Sequence, residues 1–240
     1  MKRRTIFAFL LSFAAVSLSL AQDLDEILDT YFETIGQERL LKVKTMHVTG
    51  KALMMGMENP FISTVKRPDK FYVEVDIQGA KIRQAYDGEN AWMINPLTGS
   101  ADPIDMTGPD AEGMIESADM DGLLWNYEEK GHRLELEGRD EIDGSEVFVL
   151  KLTKKNGNID YYYMDAENYV VLKVKSKVMM GGSEVETETL LSNYQDVDGY
   201  VMPFTTEQRY AGQTAMTIMF DKAEFDVDVD DAIFSKPTVE

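Results

Sequence analysis

Between Thr45 and Phe225 the apolar residues recur mostly at every second position, and this alternation limits the fold more than any other property of the chain. In "FYVEVDIQ" (71–78), Phe71, Val73, Val75 and Ile77 point one way, and Tyr72, Glu74, Asp76 and Gln78 the other. "VVLKVKSKVMM" (170–180) sets Val170, Leu172, Val174 and Val178 against Lys173, Lys175 and Lys177. Further runs of this kind occupy 46–55, 61–66, 81–86, 90–94, 133–137, 146–153, 159–164, 185–194, 200–210 and 214–225. Between them stand "YDGEN", "EIDGSE", "KKNGNI", "MDAENY", "DVDGY" and "YAGQT", whose Asp-Gly and Asn-Gly pairs mark hairpins. Short strands joined by tight turns pair antiparallel.

One segment has the other period. In "DLDEILDTYFETI" (23–35), Leu24, Ile27, Leu28, Tyr31, Phe32 and Ile35 form a single apolar stripe at helical spacing. Asp23, Asp25 and Glu26 fill the first turn, where carboxylates favour the helix dipole, and Gly36 is a stop. A sheet this wide curls, and its apolar concave face needs a cover. The expected fold is therefore mainly β with an α component: a curved antiparallel sheet forming an incomplete β-barrel, with the N-terminal amphipathic helix as lid. Residues 103–126 break the alternation and read as a loop with short helical turns. The tail "DVDVDDAIF" (226–234) reads as an edge strand running into solvent.

The N-terminus bears on where this sheet resides. Lys2, Arg3 and Arg4 precede an apolar stretch from Ile6 to Val16, and Ser19-Leu20-Ala21 supplies small residues at a cleavage site. This layout predicts a cleaved signal peptide over 1–21 and one exported, periplasmic domain over 22–240. The chain has no cysteine, so disulfides, thiolate metal sites and a lipid-modified N-terminal cysteine are excluded. Loss of the three leading cations takes the formal charge from −19 to −22. Such a surface repels nucleic acid and keeps a protein with apolar patches in solution.

Residue patterns that carry catalysis are missing from the sequence. It contains two histidines, His47 and His132, with no spacing that relates them, and no G-x-S-x-G, H-E-x-x-H or phosphate-cradling glycine loop. Residues 117–128 match a calcium loop at Asp119, Asp121, Gly122 and Glu128 but carry Ser117 at its first, acidic position. The expectation is a protein that is no enzyme, with no cofactor and no resident metal. Methionine stands out instead: of 15, Met54, Met55, Met57, Met179 and Met180 fall at hairpin tips beside glycines. Met fills irregular cores and also lines surfaces that accept variable apolar ligands.

"VKRPDKFYVEV" (65–75) followed by "YDGENAWMINP" (86–96) resembles the periplasmic lipoprotein carriers of the LolA type. The matching positions are Lys66, Arg67, Pro68, Phe71, Asp87, Gly88, Trp92 and Pro96. The ending "NYQDVDGYVMPFTTEQRY…FDVDVDDAIFSKP" (193–237) is similar to the last hairpins of that family. The resemblance implies a LolA/LolB-like lipid-binding domain whose cavity shields acyl chains. It also implies that Arg67 holds the lid shut by hydrogen bonds. The implied ligand is a lipoprotein's acyl chains or another lipid. The implied partners are an inner-membrane releasing complex and an outer-membrane acceptor. Phe71, Val73, Val75, Trp92, Met93, Phe148 and Leu172 are the expected lining, Met54 and Met55 a deformable rim, and Leu24, Ile27, Leu28, Tyr31, Phe32 and Ile35 the lid. Stress-sensing regulators share the superfamily, so a lipid-sensing module that signals to a membrane partner is the alternative.

Overall fold

The computed structural model describes residues 24–180 and 183–238, without the side chains of 178–180, 183 and 184. The signal segment expected at 1–21 lies outside the described residues, and so do the side chains of Met179 and Met180.

Thirteen strands join one antiparallel sheet: β1 (Thr45–Met54), β2 (Met57–Lys66), β3 (Lys70–Ile77), β4 (Ala80–Tyr86), β5 (Ala91–Ile94), β6 (Ile104–Asp105), β7 (Arg133–Ile142), β8 (Ser145–Thr153), β9 (Ile159–Asp165), β10 (Val171–Met180), β11 (Ser183–Val197), β12 (Tyr200–Tyr210) and β13 (Gln213–Phe225). Their order is β6-β5-β4-β3-β2-β1-β13-β12-β11-β10-β9-β8-β7. Two meanders, β1–β6 and β7–β13, are thus welded where β1 pairs with β13. Every run of alternating residues read from the sequence falls on one of these strands, because hairpin turns fix the register locally.

The edges β6 and β7 are neighbours in the chain yet stand at opposite ends of the sheet order. The segment between them carries α3 (Pro109–Ala118), where the sequence suggested only short helical turns. Gly113 weakens the helical pattern there, and packing supplies what propensity lacks: Met114 and Ala118 bury against Tyr86 and Ala91. On its other flank α3 reaches the β8–β9 turn, through Glu116 to Lys154 (2.9 Å) and Glu112 to Asn156 (3.0 Å). One short helix touching both β5 and the β8–β9 turn requires the sheet to curve round towards itself. The gap is plugged by the helix, and the barrel stays unclosed.

The same face carries the other helices. Residues 24–35 form α1, and Leu24, Ile27 and Leu28 bury against Leu134, Phe148, Leu150, Leu152 and Met164. Gly36 separates α1 from α2 (Gln37–Leu40) with φ +72°, and a Cβ there would run into the Gly199 carbonyl oxygen. Leu40 and Val43 pack with Val65 and Met120.

The C-terminal tail does not extend the sheet. After β13 the chain crosses to the opposite face, makes a 3-10 turn at Asp231–Ile233, and buries Phe234 completely against Tyr72, Ala85, Trp92 and Ile94. The Val/Asp alternation reads as a strand in isolation. Lys66 and Lys70 capture Asp231, however, at 2.5 and 2.9 Å, and the Trp92 indole donates to the Phe234 carbonyl at 2.7 Å. These tertiary contacts override the local pattern.

Candidate functional site

Cross-strand pairing shows which side chains share the helix-covered face. One row runs Leu136, Leu150, Tyr162, Val174, Thr189, Gln208, Met216, Met54, Met57 across nine strands. Two others join Phe220, Gly50, Phe61, Val75 and Ile82, and Ser63, Val73, Gln84 and Met93. Burial along this face is uneven. Beneath α1 it is a solid core, and Val48, Ala52 and Phe61 are buried as a floor. Val73, Val75, Ile82, Met93, Val174, Met216, Ile218 and Phe220 are only half-buried, although they lie on the same face of the sheet as the helices. On the opposite face of β3–β5, Tyr72, Ala85, Trp92 and Ile94 are sealed under the tail. The order of burial is inverted there: the outer face is packed beneath the tail, and the inner face stays partly open.

Phe71, Val73, Val75 and Met93 stand together on the inner face, with Phe71 touching the clusters under both α2 and α3. Trp92 does not join them. It pairs with Ala85 and through it with Tyr72, which puts the indole on the outer face as the socket for Phe234. Phe148 faces inward but lies in the packed core under α1. Leu172 sits in the bulge between Val171 and Lys173 and has no cross-strand partner. Met54 is half-buried beside Met216, whereas Met55 occupies the turn itself with φ 52° and is 95 % exposed. Of the lid stripe, Leu24, Ile27, Leu28 and Ile35 are buried, and Tyr31 and Phe32 pack partly buried beside them. The Phe32 ring meets Trp125 edge-on at 4.9 Å, and clefts of about 500 and 530 Å³ undercut that outer flank.

Arg67 ties the covering elements to the sheet. At the end of β2 its Nε donates to the Val43 carbonyl at 2.7 Å and its Nη2 to the Leu40 carbonyl at 3.0 Å. Both Nη atoms grip Asp121, one at 2.8 Å and the other in a shorter contact. The guanidinium fork satisfies two carbonyls at the end of α2 and a carboxylate at once, which an ammonium cannot. The hydrogen bond to Asp121 lifts the Arg67 pKa above its already high ordinary value. Gln37, 2 % exposed, adds a bond to the Asp121 carbonyl at 3.2 Å. Arg67 thus joins α2 and the 119–131 segment to the end of β2. Asp121 is absent from the residues singled out in sequence as its partner. The signal lay in the incomplete calcium pattern, whose two aspartates hold cations of the chain itself: Asp121 takes Arg67, and Asp119 takes Lys130 at 2.6 Å.

The polar groups facing the interior are neutral or paired. Burial pushes the phenols of Tyr31, Tyr162 and Tyr194 well up and that of Tyr200 to about 12. Tyr31 also feels Tyr200, Tyr194 and Tyr162, so the four phenols share one neighbourhood beside α1. Burial works against the Lys154 ammonium, but the Glu116 hydrogen bond and the Asp160 charge outweigh it and raise its pKa. The lysines of β10 lie on the outer face, Lys175 against Glu186 at 3.0 Å. Among the described residues no group of three or more His, Asp or Glu side chains is placed to hold a metal ion.

A family model described only as that of an uncharacterized protein matches residues 71–240. The chain belongs to this family. Its fold is LolA-like. A DUF1329 family protein from Desulfovibrio piger superposes with a TM-score of 0.60 at 14% identity, covering 87% of this chain and 97% of that one. A putative outer membrane lipoprotein-sorting protein domain from Vibrio parahaemolyticus gives 0.57 at 17%, covering 85% and 96%. A LolA superfamily protein from Nitrosomonas europaea gives 0.57 at 15%, covering 88% and 97%. No curated protein matches the sequence.

Proposed function

We propose that the protein is a periplasmic, non-enzymatic carrier that holds the acyl chains of a lipoprotein or other lipid against the half-open inner face of its curved sheet. The observation that carries this reading is the half-buried apolar surface formed by Val73, Val75, Ile82, Met93, Met216 and Ile218 on the inner face of the curved sheet. Each methylene moved there from water gains about 0.8 kcal/mol, so a chain of ordinary length is held without any charged recognition. Phe61, Val48 and Ala52 form the floor, and Met54 and Met216 supply side chains that re-pack round chains of different shape. The N-terminal segment 1–21 acts as the export signal, and 22–240 is the carrier domain. Release follows opening of the cover, for which Arg67 is the latch. The protein-sorting name of the Vibrio parahaemolyticus neighbour supports the same reading of the shared fold. Inner- and outer-membrane partners that load and receive the cargo fit this role.

The test is extraction of protein purified from its native periplasm, followed by transfer of the bound lipid between donor and acceptor vesicles. Stoichiometric lipid and protein-dependent transfer are expected. Lipid binding without transfer would instead fit a sensor, and a protein that carries and takes up no lipid would refute the carrier.

A further inference from the structure

The inner face of the sheet is not uniformly apolar. On β10–β12 its face carries Ser176, Thr187, Thr189, Thr206 and Gln208. Two of these are satisfied within the protein: Ser176 donates to Asp160 at 2.5 Å, and Thr187 donates to the Ser176 carbonyl at 3.4 Å. The side chains of Thr189, Thr206 and Gln208 make no hydrogen bond to any described residue. Thr189 stands directly opposite Gln208, and Thr206 is two residues along the same strand on the same face. All three are half-buried and reach open space.

Their surroundings define what they fit. In one row Val174 and Met216 flank Thr189 and Gln208; in the next, Leu191 and Ile218 flank Thr206. Lys173, Lys175, Glu186, Glu188, Glu207 and Arg209 occupy the alternate positions of these strands and face outward. Lys154, the cation that reaches this face from the β8 end, is committed to Glu116 and Asp160. The island is thus uncharged, offers two amide N–H groups and two hydroxyls, and is framed by hydrocarbon. A phosphate or carboxylate would find no counter-charge there, and a bare alkyl chain would leave four donors unsatisfied at a cost.

We infer that Thr189, Thr206 and Gln208 form a subsite for the carbonyl of an acyl ester or amide, which fixes the register of each chain along the inner face. This inference rests on the carrier reading and names the part of the lipid that the site recognises. Burying a chain sets affinity, whereas the carbonyl contact sets register and discriminates acyl from alkyl lipids, because hydrogen-bonding sites reject analogues that lack the bonding group.

The test is calorimetric titration of the full-length mature protein with three matched probes: 1-lauroylglycerol, N-lauroylethanolamine and 1-O-dodecylglycerol, the last an ether without the carbonyl. The ester and the amide are expected to bind about tenfold more tightly than the ether. Replacing Thr189 and Thr206 by Val and Gln208 by Leu should abolish that margin, with the ether bound at least as tightly as by the unaltered protein. Gln208→Leu alone, less demanding on the fold, should remove most of the margin. Equal binding of ester and ether by the unaltered protein overturns the subsite and leaves the carrier reading standing. A margin that survives the triple replacement also overturns it. Failure of all three probes to bind overturns both.

Discussion

Replacing Arg67 by Leu removes the four hydrogen bonds that join the end of β2 to α2 and Asp121. The Leu40 and Val43 carbonyls lose their guanidinium donors, and Asp121 is left as an unpaired carboxylate with its side chain 19% exposed. Breaking a buried pair by deleting one partner costs ~3–5 kcal/mol, and partial exposure on both sides brings the figure to about 3 kcal/mol. If the contacts act as a latch, that loss falls on a local opening rather than on the whole sheet, and ~3 kcal/mol multiplies the open population by roughly 150. Hydrogen exchange read by mass spectrometry should then rise by that order in 37–44 and 119–124, with protection of β8–β12 kept. Arg67→Lys keeps the charge but not the fork, and should recover less than half of the lost protection. Unchanged exchange in both segments would refute the latch. So would a uniform rise across the sheet, which would make Arg67 a general staple.

Phe234→Ala should cost about 3–5 kcal/mol, because the ring is wholly buried on the outer face, and a thermal melt would show it. Lipid uptake should survive in the folded fraction. The Lys66 and Lys70 hydrogen bonds hold the Asp231 carboxyl down at about 2. A depressed carboxylate stabilises the fold above its unfolded value and loses that contribution as pH falls through the folded one, so the tail should loosen between pH ~4 and ~2. Trp92 fluorescence in a Trp125→Phe background would report it, and an emission constant down to pH ~2 would contradict it. At the other extreme, Tyr31, Tyr162, Tyr194 and Tyr200 have raised pKa values. Their neutral forms favour the folded state, whose stability is complete below pH ~10 and declines above it. Phenolate absorbance should therefore show these tyrosines ionising only with unfolding.

The strands, their turns and the N-terminal helix were legible because each depends on local periodicity and turn chemistry. The KRP stretch was legible only through resemblance. Its three residues serve three purposes: Lys66 binds the tail, Arg67 the helical cover, and Pro68 makes the turn between β2 and β3. Alternation gives Trp92 one of two faces without saying which is inner. The tail that decides the matter arrives 142 residues later. The same non-locality hid Phe234 and the partnership of Asp121 with Arg67. The polar island escaped because Thr189 and Gln208 look like ordinary solvent-facing strand residues until pairing sets them among Val174, Met216 and Ile218.

Photo-crosslinking with a lipid whose acyl chain bears a terminal diazirine, followed by peptide mapping, tests most directly whether the inner face of the sheet is where fatty chains reside. Insertion is expected at Val73, Val75, Ile82, Met93, Met216 and Ile218, with competition by unlabelled lipid. Labelling confined to Met55, the Trp125 flank or the outer face, or none that unlabelled lipid displaces, would contradict it.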